Sequence, residues 1–160
     1  MATDPEHALD ALSHELIHVL FADLFPDSVP PRWAEEGLAL LNDPADKQAR
    51  HRHDLRIALH TGNAIPLSRL FDSANDATVS QRAIYYGQSL SLADYLTQID
   101  EPERFVQFVQ ACVESGHERA LNTVYGIAGV ADLERRWRRH ALASLSRDGA
   151  GLVTTVRLAR

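Results

Sequence analysis

The chain has 160 residues, of which 45% are hydrophobic, and its formal net charge is −6. This length supports one domain with a sizeable core, and a second independent domain is not expected. The negative charge, without a basic stripe carrying interleaved aromatic residues, argues against a nucleic-acid-binding protein. The sequence shows neither a long apolar run nor a basic segment ahead of an apolar one at its N-terminus, so as written it predicts a cytoplasmic chain without a membrane span.

The first predicted helix begins near the N-terminus. Thr3 or Asp4 can cap it, and Pro5 suits the first helical position. Apolar residues then follow helical spacing as far as Phe25, where Pro26 ends the pattern. The pattern therefore predicts an amphipathic helix over about the first 25 residues.

The middle of this helix contains an H-E-x-x-H motif, His14-Glu15-Leu16-Ile17-His18. Residues four apart lie one turn above each other on a helix, so both imidazoles can face one metal ion. Glu15 lies beside them and can accept a proton from a water molecule that the metal activates. The motif predicts a zinc site with Glu15 as general base. Because the chain has eight histidines and 22 acidic residues, a metal-free helical domain with a coincidental motif is the competing interpretation.

The second predicted helix spans Arg32–Leu41, after a connector with three prolines, and supplies a candidate third ligand. A catalytic zinc site needs a third protein ligand and one open position, and a carboxylate from a neighbouring helix is a common solution. Glu36 shares the inward face with Trp33, three residues before it. Glu35 has Arg32 three residues before it and is expected to lean more towards solvent than Glu36. Glu36 is therefore the predicted ligand.

These residues resemble the gluzincin metallopeptidases, in particular the bacterial peptidase MA-like domains. The resemblance rests on His14-Glu15-x-x-His18, the proline-containing connector and Trp33-x-x-Glu36-Gly37-x-Ala39. It implies that His14, His18 and Glu36 bind one zinc ion and that Glu15 is the general base. It further implies an enzyme that hydrolyses peptide bonds, either as an endopeptidase or as an aminopeptidase-like hydrolase, with a peptide or protein as substrate.

Residues 44–62 predict a third helix, which Gly62 ends, and residues 63–77 predict a loop that its apolar side chains attach to the core. The third helix contains His51 and His53. Residues two apart do not share a helical face, so this pair does not predict a second metal site.

The next predicted helix, Val79–Gln98, contains the candidates for stabilising a developing oxyanion. Its segment Tyr85–Leu96 is similar to the Y-x-Q-S-x-S-x-x-x-Y-L helix of the same family. Amide hydrolysis builds negative charge on the carbonyl oxygen, and a donor besides the metal is commonly needed. The resemblance implies Tyr86 in this role and Tyr85 as its alternative, while a purely structural role for both tyrosines stays open. Because no G-x-S-x-G elbow is present, a packing role is predicted for Gln88, Ser89 and Ser91.

Three further helices are predicted over Pro102–Ser115, His117–Tyr125 and Ala131–Asp148. The single cysteine, Cys112, cannot form an internal disulfide and lies in an apolar pattern that predicts a buried structural thiol. The basic cluster Arg135–Arg139 predicts a solvated helix face around a buried Trp137. Tyr125–Trp137 is also similar to the C-terminal segment of the gluzincin family.

Taken together, the sequence predicts a mainly α fold. An H-E-x-x-H helix packs on the helix that carries Glu36, and about five further helices follow. Residues 1–148 form the predicted domain, and residues 149–160 a tail whose alternation indicates an extended segment. The expected cofactor is one zinc ion. The oligomeric state is not predicted.

The chain departs from the family pattern in two respects. Some gluzincins place an aspartate four residues after the ligand glutamate to support a ligand histidine, whereas Leu40 stands there in this chain. Asp10, Asp43 or backbone carbonyls are the candidate substitutes. In related enzymes a twisted β-sheet also precedes the zinc helix, and its edge strand holds the substrate.

This chain reaches its motif by residue 14, which leaves no room for such a sheet. The interpretations are a fragment of a longer and then exported protein, a minimal enzyme, or a degenerate peptidase. The last is the alternative function: a non-catalytic zinc-binding helical module with a structural or partner-binding role.

Overall fold

The computed structural model describes residues 5–72 and 79–157, with side chains described for residues 12–72 and 81–144. These residues contain no strand, and their seven helices are α1 (Pro5–Leu24), α2 (Arg32–Leu41), α3 (Ala45–Thr61), α4 (Leu67–Asp72), α5 (Val79–Gln98), α6 (Pro102–Tyr125) and α7 (Val130–Arg157). The predicted mainly α fold is confirmed. Five helices follow α1 and α2, which pack against each other.

Two glycines mark the ends of predicted helices. Gly62 adopts a left-handed conformation, with φ of 72°, and ends α3, since a residue without Cβ enters this region at no steric cost. Gly116 has φ of 79° and ψ of 163° inside α6, and it therefore separates the two helices predicted on either side of it. The helical boundaries predicted at these positions agree with the structure.

The predicted loop over residues 63–77 is wrong in part, because it contains the six-residue helix α4. The Pro66 carbonyl accepts the Leu70 N–H at 2.9 Å and so starts this helix. Leu67 and Leu70, three residues apart, are both buried, as predicted. A helix this short shows too few turns to produce a recognisable period in the sequence. Residues 73–78 of the predicted loop lie outside the described part of the chain.

The predicted extended tail is also wrong as far as Arg157, because α7 continues through residues 149–157. Extending an existing helix costs far less than starting one, so α7 propagates past the predicted boundary at residue 148. Leu152 and Val156 lie four residues apart, a spacing that fits a helix as well as a strand. Residues 158–160 lie outside the described part. No helix within the described residues is long and apolar enough to cross a membrane.

Helix α5 lies at the centre and contacts α2, α3, α6 and α7. A Cβ atom added to Gly37 of α2 would clash with the Ser89 carbonyl oxygen and lie 2.9 Å from the Ala93 Cβ atom. A Cβ atom added to Gly87 of α5 would lie 2.6 Å from the His51 carbonyl oxygen of α3. The two glycines therefore let α2 and α3 approach α5 closely. At Gly37 the partner in this close contact is α5.

Buried polar side chains fix the position of α5. The Gln88 amide accepts the Ile65 N–H at 2.6 Å and donates to the Ile65 carbonyl at 2.8 Å. The Trp137 indole donates to the Ser91 hydroxyl at 3.1 Å. Both contacts satisfy groups that would be costly to bury without partners. The predicted packing role of Gln88 and Ser91 and the predicted burial of Trp137 are confirmed.

Candidate metal centre

The structure brings His14 and His18 of α1 together with Glu36 of α2. One ligand atom from each side chain lies within 4.8 Å of the other two, and all three residues are partly buried. The described residues contain no other group of three or more histidine, cysteine, aspartate or glutamate side chains with this geometry. Two imidazole nitrogens and one carboxylate oxygen form a donor set that is common in catalytic zinc sites.

A buried aspartate lies behind His14. The Asp43 Oδ1 atom is 3.2 Å from His14 Nδ1, a contact that is short but not aligned as a hydrogen bond. The Asp43 side chain is 1% exposed, and the Lys47 Nζ atom lies 2.9 Å from its other oxygen. Because Nδ1 faces this carboxylate, Nε2 is the His14 nitrogen left for a metal. Asp43, one of the candidate substitutes from the sequence, is therefore in contact with a predicted ligand.

A second carboxylate holds the other histidine. The Glu35 Oε1 atom lies 2.8 Å from His18 Nδ1, and the Glu35 side chain is only 24% exposed. Glu35 is more exposed than Glu36, whose side chain is 13% exposed, as predicted, and it nevertheless contacts a candidate ligand. This contact is possible because α1 packs against α2, a feature that the pattern of α2 alone does not contain. The two adjacent glutamates thus have different partners, with Glu35 holding a candidate ligand and Glu36 being one.

Glu36 also has a cation beside it. Arg32, one turn earlier on α2, places its Nε atom 3.4 Å from Glu36 Oε1, and the Glu36 side chain is 13% exposed. A carboxylate has two oxygens, so one can contact the guanidinium while the other faces a metal. Arg32 therefore reduces the electrostatic cost of the largely buried Glu36 side chain without excluding it as a ligand.

Glu15 differs from the two histidines of the motif because it is exposed. It forms no hydrogen bond or ion pair with another residue in the described part of the chain. A general base needs an accessible carboxylate that can reach a water molecule. The exposed carboxylate of Glu15 is accessible in this sense.

The two tyrosines of α5 differ in burial. Tyr85 is 6% exposed, whereas Tyr86 is only partly buried and its ring centre lies 6.0 Å from that of His51. Burial raises the pKa of Tyr85, and the Glu36 carboxylate adds to this effect while Arg32 opposes it. Both Tyr85 and Tyr86 interact electrostatically with Arg32. Tyr86 is the more accessible of the two tyrosines.

A partly buried histidine that no sequence motif marks as functional contacts the candidate ligand helix α2. The Trp33 indole N–H donates to His117 Nε2 at 3.1 Å, and the His117 ring stacks on Phe71 with ring centres 4.1 Å apart. Burial lowers the pKa of His117 to about 4, so the imidazole is neutral at pH 7 and can accept this hydrogen bond. In the sequence, His117 is distinguished only by its position directly after Gly116, which separates two predicted helices.

The other candidate residues are not members of the group formed by His14, His18 and Glu36. His51 is half-buried and burial lowers its pKa, whereas His53 is exposed and contacts Arg56. Cys112 is buried, which raises its pKa to about 12 and confirms the predicted structural thiol. The side chain of Asp10, the other candidate support for a ligand, lies outside the described residues.

Comparisons with known proteins add no relative: no family model, no curated protein and no solved structure matches the chain. The interpretation of the candidate centre therefore depends on its own residues and their geometry. The resemblance to gluzincins stays a prediction.

Proposed function

We propose that this chain is a zinc-dependent metallopeptidase of the gluzincin type, with His14, His18 and Glu36 as the zinc ligands. The observation that supports this most strongly is the convergence of the three ligand atoms within 4.8 Å from two helices. The carboxylates at Nδ1 of both histidines, from Asp43 and Glu35, add to it, because such partners are typical of metal-binding imidazoles. When bound, zinc would supply a Lewis acid that lowers the pKa of water and polarises a carbonyl.

Side chains of the protein carry out the other steps of the proposed reaction. Asp43 and Glu35 hold the two imidazoles in the orientation that presents Nε2. Glu15 accepts the proton of the attacking water and later passes it to the leaving amine. Tyr86, the more accessible tyrosine, donates its hydroxyl proton as a hydrogen bond to the oxyanion that develops on the substrate carbonyl.

The test is cleavage of an unstructured protein substrate, followed by the appearance of new amino termini. Cleavage should stop when a chelator removes the metal and return when zinc is added. Glu15→Gln should abolish cleavage and leave the zinc content unchanged, because it removes the base but no ligand. Glu114→Gln, at an exposed position on α6, is the matched control and should cleave as the parent does. If Glu15→Gln cleaved as fast as the parent, Glu15 would not be the base.

One observation favours the alternative, a non-catalytic zinc-binding module with a partner-binding role. The outward face of α1 exposes five large apolar side chains, between 45% and 63% of each, namely Leu12, Leu16, Val19, Leu20 and Leu24. Contiguous exposed apolar surface is typical of a contact surface. This alternative predicts stoichiometric zinc in a protein that cleaves no peptide under any metal condition, so the cleavage experiment separates the two functions.

A further inference from the structure

A surface cavity lies between α5 and α7. Its volume is about 630 Å³, and its lining consists of Tyr95 from α5 and a stretch of α7 that includes three arginines. We name it the arginine pocket, and its lining on α7 is Asp132, Arg135, Arg136, Arg139, His140 and Ala143. Tyr95 lies nine residues after Tyr86, which corresponds to about 13.5 Å along α5. The arginine pocket is therefore a different place from the candidate metal centre.

The pocket follows from spacing along α7. Asp132, Arg136, Arg139 and Ala143 recur at intervals of three and four residues and so share one face of the helix. Ala143 has only a methyl group, which leaves open space beside the longer side chains. Tyr95, from the neighbouring helix, closes the opposite side of this space.

The charges in the pocket do not cancel. Asp132 pairs with Arg135 at 3.1 Å and with Arg136 at 2.9 Å. Arg139 forms no ion pair with any residue in the described part of the chain. Three guanidinium groups thus face one carboxylate in a chain whose formal net charge is −6. An excess of positive charge in a concave site favours an anionic ligand.

Tyr95 adds a neutral donor to this set. Tyr95 is 9% exposed, and its ring centre lies 5.0 Å from that of His140. Burial raises the pKa of Tyr95, so its hydroxyl stays protonated and can donate a hydrogen bond. The hydroxyl forms no hydrogen bond with another described residue. Donors from two helices therefore border the same space.

We propose that the arginine pocket binds the phosphate group of a small phosphomonoester. An arginine guanidinium can donate two parallel hydrogen bonds to two oxygens of one phosphate group. Two guanidinium groups and a hydroxyl together offer more hydrogen-bond donors than a ligand with a single carboxylate needs. The volume suits a small molecule. A polynucleotide is disfavoured because the basic residues of the pocket do not continue along the acidic chain.

The test is calorimetric titration of the whole protein with phenyl phosphate. The parent should show saturable binding that weakens as salt is added. Arg139→Gln should weaken binding by about tenfold or more, because a charge-assisted pair is lost without disturbing an ion pair of the fold. Tyr95→Phe, which keeps the buried ring, should weaken binding to a smaller extent. Arg119→Gln removes the same charge at an exposed position on α6 and should bind as the parent does.

Four results would overturn the proposal. The first is absence of saturable binding at millimolar phenyl phosphate, and the second is equal weakening in Arg139→Gln and Arg119→Gln, which would indicate only the overall charge. The third is benzoate binding as tightly as phenyl phosphate, which would make the pocket a carboxylate site. The fourth is loss of binding after chelation, which would place the phosphate at the metal centre instead.

Discussion

Each imidazole of the candidate metal centre faces a carboxylate through Nδ1, and the two carboxylates differ in depth. Asp43 is 1% exposed behind His14, whereas Glu35 is 24% exposed beside His18. Buried partners of metal-binding histidines restrict the ring more strongly, because no water replaces them. The contribution of Asp43 to metal affinity should therefore exceed that of Glu35.

Asp43→Asn should weaken zinc binding by about 10-fold to 100-fold while one zinc ion per chain is still bound, since the ligands remain but His14 loses its anionic partner. Competition with a chromophoric chelator measures this affinity. Asp46→Asn is the matched control, because Asp46 is exposed on the next helix, α3, and pairs only with Arg50 at 2.6 Å. Equal affinity in Asp43→Asn and Asp46→Asn would show that Asp43 does not support the site.

His117 makes stability depend on pH because burial lowers its pKa. Its pKa is about 4 in the folded chain, against an ordinary histidine value of 6.5 when the ring is solvated, so the unfolded chain takes up a proton first as the pH falls. The contribution of the neutral His117 to the free energy of unfolding is therefore fully present above about pH 6.5. It is lost progressively as the pH falls from 6.5 to 4. At pH 5 the expected loss from this residue is about 2 kcal/mol.

Urea unfolding at pH 7.5 and pH 5, with a chelator present, measures this effect. His117→Gln keeps an acceptor for the Trp33 indole and cannot be protonated, so its decrease in stability between the two pH values should be smaller by about 2 kcal/mol. His53→Gln, at an exposed position on α3, should retain the full pH dependence of the parent. The same pH dependence in His117→Gln and the parent would exclude His117 as its source.

At the scale of helices, the contact between α2 and α5 positions Glu36. Gly37 directly follows this candidate ligand, and it allows the Ser89 carbonyl of α5 to approach. A side chain at this position must displace one helix from the other, because the obstructing atoms belong to backbone and to the Ala93 Cβ atom.

Gly37→Ala should therefore destabilise the fold by about 1 to 3 kcal/mol and weaken zinc binding at the same time, although alanine is the better helix former. Denaturant unfolding and the chelator competition give the two values. Ala83→Leu adds more volume on an exposed face of α5 and should change neither value appreciably. A stabilised Gly37→Ala variant would show that the helix contact is looser than described.

The helices that the sequence predicts best are those with strong local signals. Prolines precede α2, and both α2 and α5 have the predicted bounds of Arg32–Leu41 and Val79–Gln98. Helix α4 was missed because six residues are too few for a period, and the end of α7 because helix propagation extends past the alternating tail. A local sequence pattern therefore predicts a helix where the pattern is long enough. It does not predict the short helix α4 or the end of α7.

The candidate site is also predicted only in part by local sequence patterns. The spacing of His14 and His18 predicts their common face, and the neighbours of Glu36 predict its inward direction. The roles of Glu35 and Asp43 depend on how α1 and the end of α2 pack against each other. A single helix pattern contains no information on that packing, so the partners of the ligands become visible only in the folded chain.

At the scale of the whole molecule, α1 differs from the other helices. Its inner face supplies His14 and His18 and packs on α2, while its outer face exposes the five apolar side chains from Leu12 to Leu24. A helix that is apolar on both faces is typical of a buried element. The candidate metal centre lies on a helix that packs on α2, and under the proposed function metal binding should stabilise the fold.

The most direct test of the central claim is the zinc content of the protein after dialysis, measured together with the melting temperature with and without zinc. The account predicts one zinc ion per chain and a melting temperature that rises with free zinc. His14→Ala and Glu36→Ala should each lose the zinc or bind it much more weakly, whereas His53→Ala should keep it. A protein that holds no zinc and melts at the same temperature with and without it, or one that keeps its zinc in His14→Ala, would contradict the account.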